Sequence, residues 1–145
     1  MMEDQYEIFE HALNLEWPWY VDRVGIDDES RALLVHLNFE KGGTFTCSGC
    51  GTVGCKAYDT RSKQWRHLDF FHYRTFLRGM SPRVVCPSCG IRQAVVPWAR
   101  GRQGLTRAFE GMVVSLVQEM PIRAVSRFLG EHDTRLGRVV SYYRE

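Results

Sequence analysis

Cys47-Ser48-Gly49-Cys50-Gly51 opens, and Cys86-Pro87-Ser88-Cys89-Gly90 closes, a stretch of this sequence suited to holding a metal ion. Each run places two sulfurs on one tight loop. The glycine after the second cysteine can take the positive φ that turns backbone N–H groups toward sulfur. Four thiolates at this spacing favour one tetrahedral structural Zn2+ per chain on Cys47, Cys50, Cys86 and Cys89; an iron–sulfur cluster is the alternative for the same donors. Between the two runs lie 35 residues, Gly51 to Val85, more than the roughly 15 to 20 of the usual paired pattern. An inserted structural element is therefore expected between the knuckles.

A chain of 145 residues with 44% hydrophobic content fits one domain or two small ones. No apolar run approaches the roughly 18 residues of a membrane span, and the acidic amino terminus lacks a signal-peptide pattern. Five cysteines, four of them in metal-type pairs, suit a reducing compartment, so a cytoplasmic location and no membrane partner are expected. Charge is segregated along the chain. Residues 1–59 hold 4 Lys/Arg against 11 Asp/Glu, residues 60–109 hold 10 against 1, and residues 110–145 hold 5 of each. The middle block suggests a phosphate-bearing partner, although part of it must offset the formal negative charge of a zinc tetrathiolate.

Tyr6, Phe9 and Leu13 fall at helical spacing within Asp4–Asn14 and predict a short helix that caps the core. Trp17-Pro18-Trp19 ends it. Val24 and Ile26, a polar Asp27–Ser30 turn, then Leu33, Val35, Leu37 and Phe39 predict a β-hairpin. Gly42-Gly43 then breaks the second strand. Between the knuckles, Thr60–Gln64 reads as a basic loop and Phe71–Arg78 as a strand. On that strand Phe71, Tyr73, Thr75 and Leu77 face inward, and His72, Arg74, Phe76 and Arg78 face outward. Gly79–Pro82 reads as a turn, and Ala94–Val96 as a short strand leaving the second knuckle.

Arg100–Gly104 has the composition of a basic connector, after which the hydrophobic period changes from two to 3.6. Thr106 is placed to cap a helix carrying Phe109, Met112, Val113, Leu116, Val117 and Met120. Pro121 suits the start of a second helix, with Ile122, Val125, Phe128 and Leu129 apolar and Gly130 as its stop. Asp133 or Thr134 begins a third, with Leu136, Val139, Val140 and Tyr143 inward and Arg135, Arg138 and Tyr142 on a separate stripe. This is helix-turn-helix spacing. The fold expected is α+β: residues 1–100 form a small zinc-ribbon β domain with an amino-terminal helix and an inserted hairpin, and residues 101–145 a three-helix helix-turn-helix unit.

These residues together resemble the amino-terminal region of the ISL-three family of bacterial insertion-sequence transposases. Besides the knuckles, the carriers are Tyr58-Asp59-Thr60-Arg61, Trp65-Arg66-His67-Leu68-Asp69, Pro82–Gly90, Val96-Pro97-Trp98-Ala99, and the stretch from Glu119 to Leu136. The resemblance implies double-stranded DNA, the element's terminal inverted repeats, as ligand, a nucleoid-associated role in a bacterial cytoplasm, and a homodimer for pairing two ends. It also implies a catalytic ribonuclease-H-like domain with an acidic triad, which this chain stops short of, so the chain itself is not expected to be an enzyme. DNA contacts are expected from Arg61, Lys63, Arg66, Arg74 and Arg78 of the basic insert, Arg100 and Arg102 of the connector, and Thr134, Arg135 and Arg138 of the third helix.

Blander readings stand beside these. Cys55 is expected to be a packed thiol, the tryptophans core rather than base-stacking platforms, and Asp27, Asp28 and Glu29 a solvated turn. The alternative function is a zinc-stabilised protein-interaction module docking through Phe109, Met112 and Leu116. A zinc hydrolase is disfavoured because four cysteines close the coordination sphere.

Overall fold

Leu33, Val35 and Leu37 alternate with less buried neighbours, and all three are sequestered from solvent, so the strand that carries them presents one face to a core. The computed structural model describes residues 6–101 and 103–144. In chain order these form α1 (Glu7–Ala12), β1 (Trp19–Asp27), β2 (Ala32–Phe39), β3 (Thr44–Phe45), β4 (Cys55–Phe70), β5 (Tyr73–Cys86), β6 (Gly90–Gln93), α2 (Arg107–Val117), α3 (Ile122–Leu129) and α4 (Asp133–Arg144). The class is α+β, a curled sheet with four helices.

The sheet runs β1-β2-β5-β4-β3, with β6 on the far part of β5. The β1–β2 hairpin matches the sequence pattern, but β2 then pairs in parallel with β5, Val35 opposite Leu77. That pairing brings the amino-terminal hairpin onto the element inserted between the knuckles. The insert is a long antiparallel hairpin of β4 and β5, in which Trp65 opposes Leu77 and Gln64 opposes Arg78. Opposed residues share a face. Trp65, Leu77 and Val35 therefore look into the first core, against which Tyr6, Phe9 and Leu13 also pack, while Gln64, Arg78 and Phe76 lie on the opposite face.

Three local expectations are corrected by this hairpin. Thr60–Gln64 is strand rather than loop, and Gly79–Pro82 is strand rather than turn, because the two stretches pair with each other from Thr60↔Pro82 to Gln64↔Arg78. At Gly79 the backbone passes so close to β2 that a Cβ would lie 2.9 Å from the Leu37 carbonyl oxygen, so this glycine serves strand approach. The reversal falls instead at Phe71-His72, where Phe71 has φ 54° and is 82% exposed. The inward-facing series thus begins at Tyr73.

A second cluster of Leu105, Phe109, Val113, Val125, Leu129, Leu136 and Val139 lies among α2, α3 and α4. Thr106 caps α2 as expected, its hydroxyl oxygen accepting the Phe109 N–H at 3.2 Å. Pro121 precedes α3, and Gly130 ends it in the left-handed conformation. Phe128 departs from the pattern: it is 71% exposed rather than buried. The two clusters meet at the β4 edge, where Arg66 bridges to Leu105. There the Arg66 N–H donates to the Gly104 carbonyl at 2.8 Å, and the Arg66 carbonyl accepts from Thr106 N–H at 2.9 Å.

Candidate metal centre and nucleic-acid interface

Both knuckles lie at the open end of the long hairpin, where the start of β4 pairs with the end of β5: Cys47 follows β3, Cys86 ends β5, and Cys89 precedes β6. The four sulfurs of Cys47, Cys50, Cys86 and Cys89 all lie within 4.8 Å of one another. A tetrahedron with Zn–S bonds of about 2.3 Å has edges of about 3.8 Å, so the donor set fits zinc with small adjustment. Gly51 and Gly90 both take positive φ, 78° and 77°. Backbone N–H groups reach sulfur as the spacing requires, with Gly49 N–H donating to Cys47 Sγ at 3.3 Å. The N–H groups of Cys89 and Ser88 hold the Cys86 thiol down to about 6. Cys89 is pushed up to about 12, first by its hydrogen bond with Cys50 and then by burial. Thiolates crowded this closely repel one another, and a divalent cation relieves that repulsion. These cysteines hold a structural zinc ion.

Cys55 is buried at the start of β4 and donates to the Thr52 carbonyl at 3.6 Å. Burial raises its pKa, so it remains a packed thiol beside the cluster.

The cations expected at DNA divide into three groups. Arg61, Arg74, Arg78 and Arg138 are exposed, as is Thr134. Arg78 donates to Gln64 Oε1 at 2.7 Å, and the Arg74 guanidinium rests where a side chain on Gly130 would stand. Lys63 is half-buried, its ammonium 5.8 Å from the Trp65 ring centroid. Arg102 lies outside the described residues. The pairing register also separates the exposed set, because Arg61 opposes Ser81 and Lys63 opposes Gly79 on one face, whereas Arg74 and Arg78 lie on the other.

Arg66, Arg100 and Arg135, all three expected at DNA, are instead engaged with carboxylates of the protein itself. Arg66 is 3% exposed and pairs with Glu131 at 2.7 Å, while donating to the Leu129 carbonyl at 3.0 Å. Arg135 pairs with the other oxygen of Glu131 at 2.7 Å and donates to the carbonyls of Gln103 and Gly104. Arg100 pairs at 2.9 Å with Glu110, which is 1% exposed, and stacks 3.5 Å from the Tyr142 ring centroid. A buried carboxylate needs such partners. Glu131 therefore bolts the turn between α3 and α4 to the sheet, a role no local spacing announces.

Arg23 on β1 and His36 on β2 also lie beside Arg78. The pKa of His36 is lowered, first by burial and then by Arg23 and Arg78. The sequence could not place them there, because the parallel β2–β5 pairing joins segments far apart in the chain. Arg123 and Arg127 are also exposed on α3, and their spacing of four puts them on one solvated side of that helix.

Fold and donor set define a zinc-ribbon protein with an appended helical region. Residues 43–89 match the zinc-finger of transposases IS204/IS1001/IS1096/IS1165, and residues 94–144 match the helix-turn-helix domain of transposase family ISL3. The chain is 44% identical over 71 residues to the transposase for insertion sequence element IS1557 of Mycobacterium tuberculosis, covering 46% of this chain and 16% of that protein. It is 27% identical over 124 residues to the transposase for insertion sequence element IS1001 of Bordetella parapertussis, covering 83% of this chain and 28% of the relative. No solved structure matches significantly. The chain belongs to the ISL3 transposase family, of which it carries the zinc-finger and helix-turn-helix regions. It spans a sixth to about a quarter of the length of these relatives.

Proposed function

We propose that this chain is the DNA-recognition region of an insertion-sequence transposase and that its ligand is the terminal inverted repeat of the element. On this reading residues 1–100 form the zinc-ribbon domain and residues 101–145 a three-helix unit, with α3 and α4 as its helix-turn-helix and α2 as support. The observation that carries it is the division of α4. Leu136 and Val139 are buried, whereas Thr134, Arg138, Ser141 and Tyr142 are exposed at spacings that put them on one side of a helix. Among the described residues Arg138 has no ion pair or side-chain hydrogen bond, so its planar donors are available to a base edge. Arg74 and Arg78 track phosphate on the sheet face that continues toward the Gly130 turn.

The rival reading, a docking module using Phe109, Met112 and Leu116, is weakened because Phe109 is buried and Met112 and Leu116 pack against the helical core. A homodimer pairing two DNA ends, within a bacterial nucleoid, follows from the same proposal. The test is binding of the zinc-loaded chain to a terminal-repeat duplex and to a scrambled one across a salt series. Preference for the repeat, with affinity falling as salt rises, is expected; equal binding to both duplexes or a flat salt response contradicts the proposal.

A further inference from the structure

Where the 94–101 segment folds back over the long hairpin, a cavity of about 300 Å³ opens between the zinc ribbon and the start of α2. Its wall includes Lys63 and Trp65 of β4, Ser81 of β5, Gln93 of β6, and Arg100 and Arg107. Three of these are cations, and no carboxylate is among the described residues that line it. The Arg100 charge is matched by Glu110. Arg107 spends one N–H on the Pro97 carbonyl at 3.3 Å and is otherwise exposed.

Two buried donors sharpen the chemistry. Trp65 is 1% exposed, and its indole N–H has no hydrogen-bond partner, although a buried donor without an acceptor is unfavourable. The Ser81 hydroxyl, 3% exposed, accepts from Gln93 Nε2, which leaves its own proton to donate elsewhere. An indole that only donates, a hydroxyl oriented to donate, and a wall that carries cations but, among the described residues, no carboxylate together call for an oxyanion.

We propose that this cavity binds a phosphate group, contacted by the Trp65 indole N–H, the Ser81 hydroxyl, Lys63 and Arg107. It lies on the sheet face opposite Arg74 and Arg78, since Lys63 opposes Gly79 and Trp65 opposes Leu77, and is thus a separate phosphate position. The DNA-binding reading supplies the source of that phosphate in the working complex, a backbone phosphate of bound DNA; free phosphate shares its chemistry.

The experiment follows the indole N–H resonances of the four tryptophans in the zinc-loaded, 15N-labelled chain, with Trp65→Phe serving to assign one of them. Inorganic phosphate, chloride at matched ionic strength and the terminal-repeat duplex are titrated separately. A saturable shift of the Trp65 resonance with phosphate and with duplex, but not with chloride, is expected. Lys63→Gln and Arg107→Gln, both at the rim, should each weaken the phosphate response about tenfold. If the duplex binds normally and the Trp65 resonance answers neither it nor phosphate, the site is overturned and the DNA reading stands. A saturable phosphate shift without duplex binding keeps the site and overturns that reading. A response to phosphate no different from chloride, or unchanged in both rim variants, also overturns the site.

Discussion

Up to Ala99 the layers of the protein are joined by four thiolates and by aromatic edges, whereas beyond Leu105 three helices close on an aliphatic core around Phe109. In the first region Trp19 sets its ring edge-on to Phe39, Phe45 and Trp98, at centroid distances of 5.2, 5.7 and 4.8 Å, and Trp98 does the same to Trp65 at 5.2 Å. Such pairs are directional, and a metal ion fixes which strand ends meet. In the second region Val113, Val125, Leu136 and Val139 are sealed by packing alone. Each region is therefore vulnerable in its own way: one to loss of an ion, the other to loss of volume, and their junction to loss of a charge.

The largest effect should follow from removing zinc. A structural site of this kind supplies about 10 kcal/mol or more of apparent binding energy, comparable with the whole stability of a small domain. Strong chelation, or Cys47→Ser, should abolish the near-ultraviolet dichroism of the Trp19–Trp98–Trp65 stack, and elemental analysis should find one zinc per chain. A stack that survives complete zinc removal would break the contrast between the regions.

At the junction, Glu131→Ala removes the close carboxylate partner of the buried Arg66 guanidinium and leaves it only the half-exposed Asp69 at 3.4 Å. Removing one member of a buried pair costs about 3 to 5 kcal/mol, and amide exchange should show the loss in α3, α4 and the 103–106 segment while β5 and β6 stay protected. Uniform loss of protection across the whole chain would instead make the two regions a single cooperative unit.

A smaller effect concerns pH. His67 Nδ1 lies 2.8 Å from the Thr106 hydroxyl, whose oxygen accepts the Phe109 N–H and whose own proton is free to be donated to a neutral imidazole. Burial lowers the His67 pKa. The unfolded chain therefore binds the proton more readily, and stability should fall as pH drops below the ordinary histidine value of about 6.5 toward the lower folded value. Thermal melts of the wild type and His67→Gln between neutral and mildly acidic pH check this. Identical pH slopes would remove His67 from the junction.

Much of this was legible from spacing. The knuckles named all four zinc ligands, Thr106 announced the α2 cap, and the Pro121–Gly130 interval marked α3, because each signal is local and governed by geometry within a few residues. The path of the long hairpin was not legible, because Thr60–Gln64 and Gly79–Pro82 look like loop and turn until they pair with each other. The arginines divided for a related reason. Arg138 and Arg66 are alike in sequence, and only the fold sets Glu131 against Arg66 and leaves Arg138 in solvent.

On the proposed function the helical region reads sequence while the open sheet face holds phosphate, and paired titrations of Arg138→Ala and Arg74→Ala separate the two roles. Each variant is measured against a terminal-repeat duplex and a scrambled one over a salt series. Arg138→Ala should lose about 1 to 3 kcal/mol on the repeat and little on the scrambled duplex. Arg74→Ala should weaken both alike and lower the salt slope by about one unit. If Arg138→Ala leaves the preference for the repeat intact, or if the two variants behave identically, the division of labour between helix and sheet is contradicted.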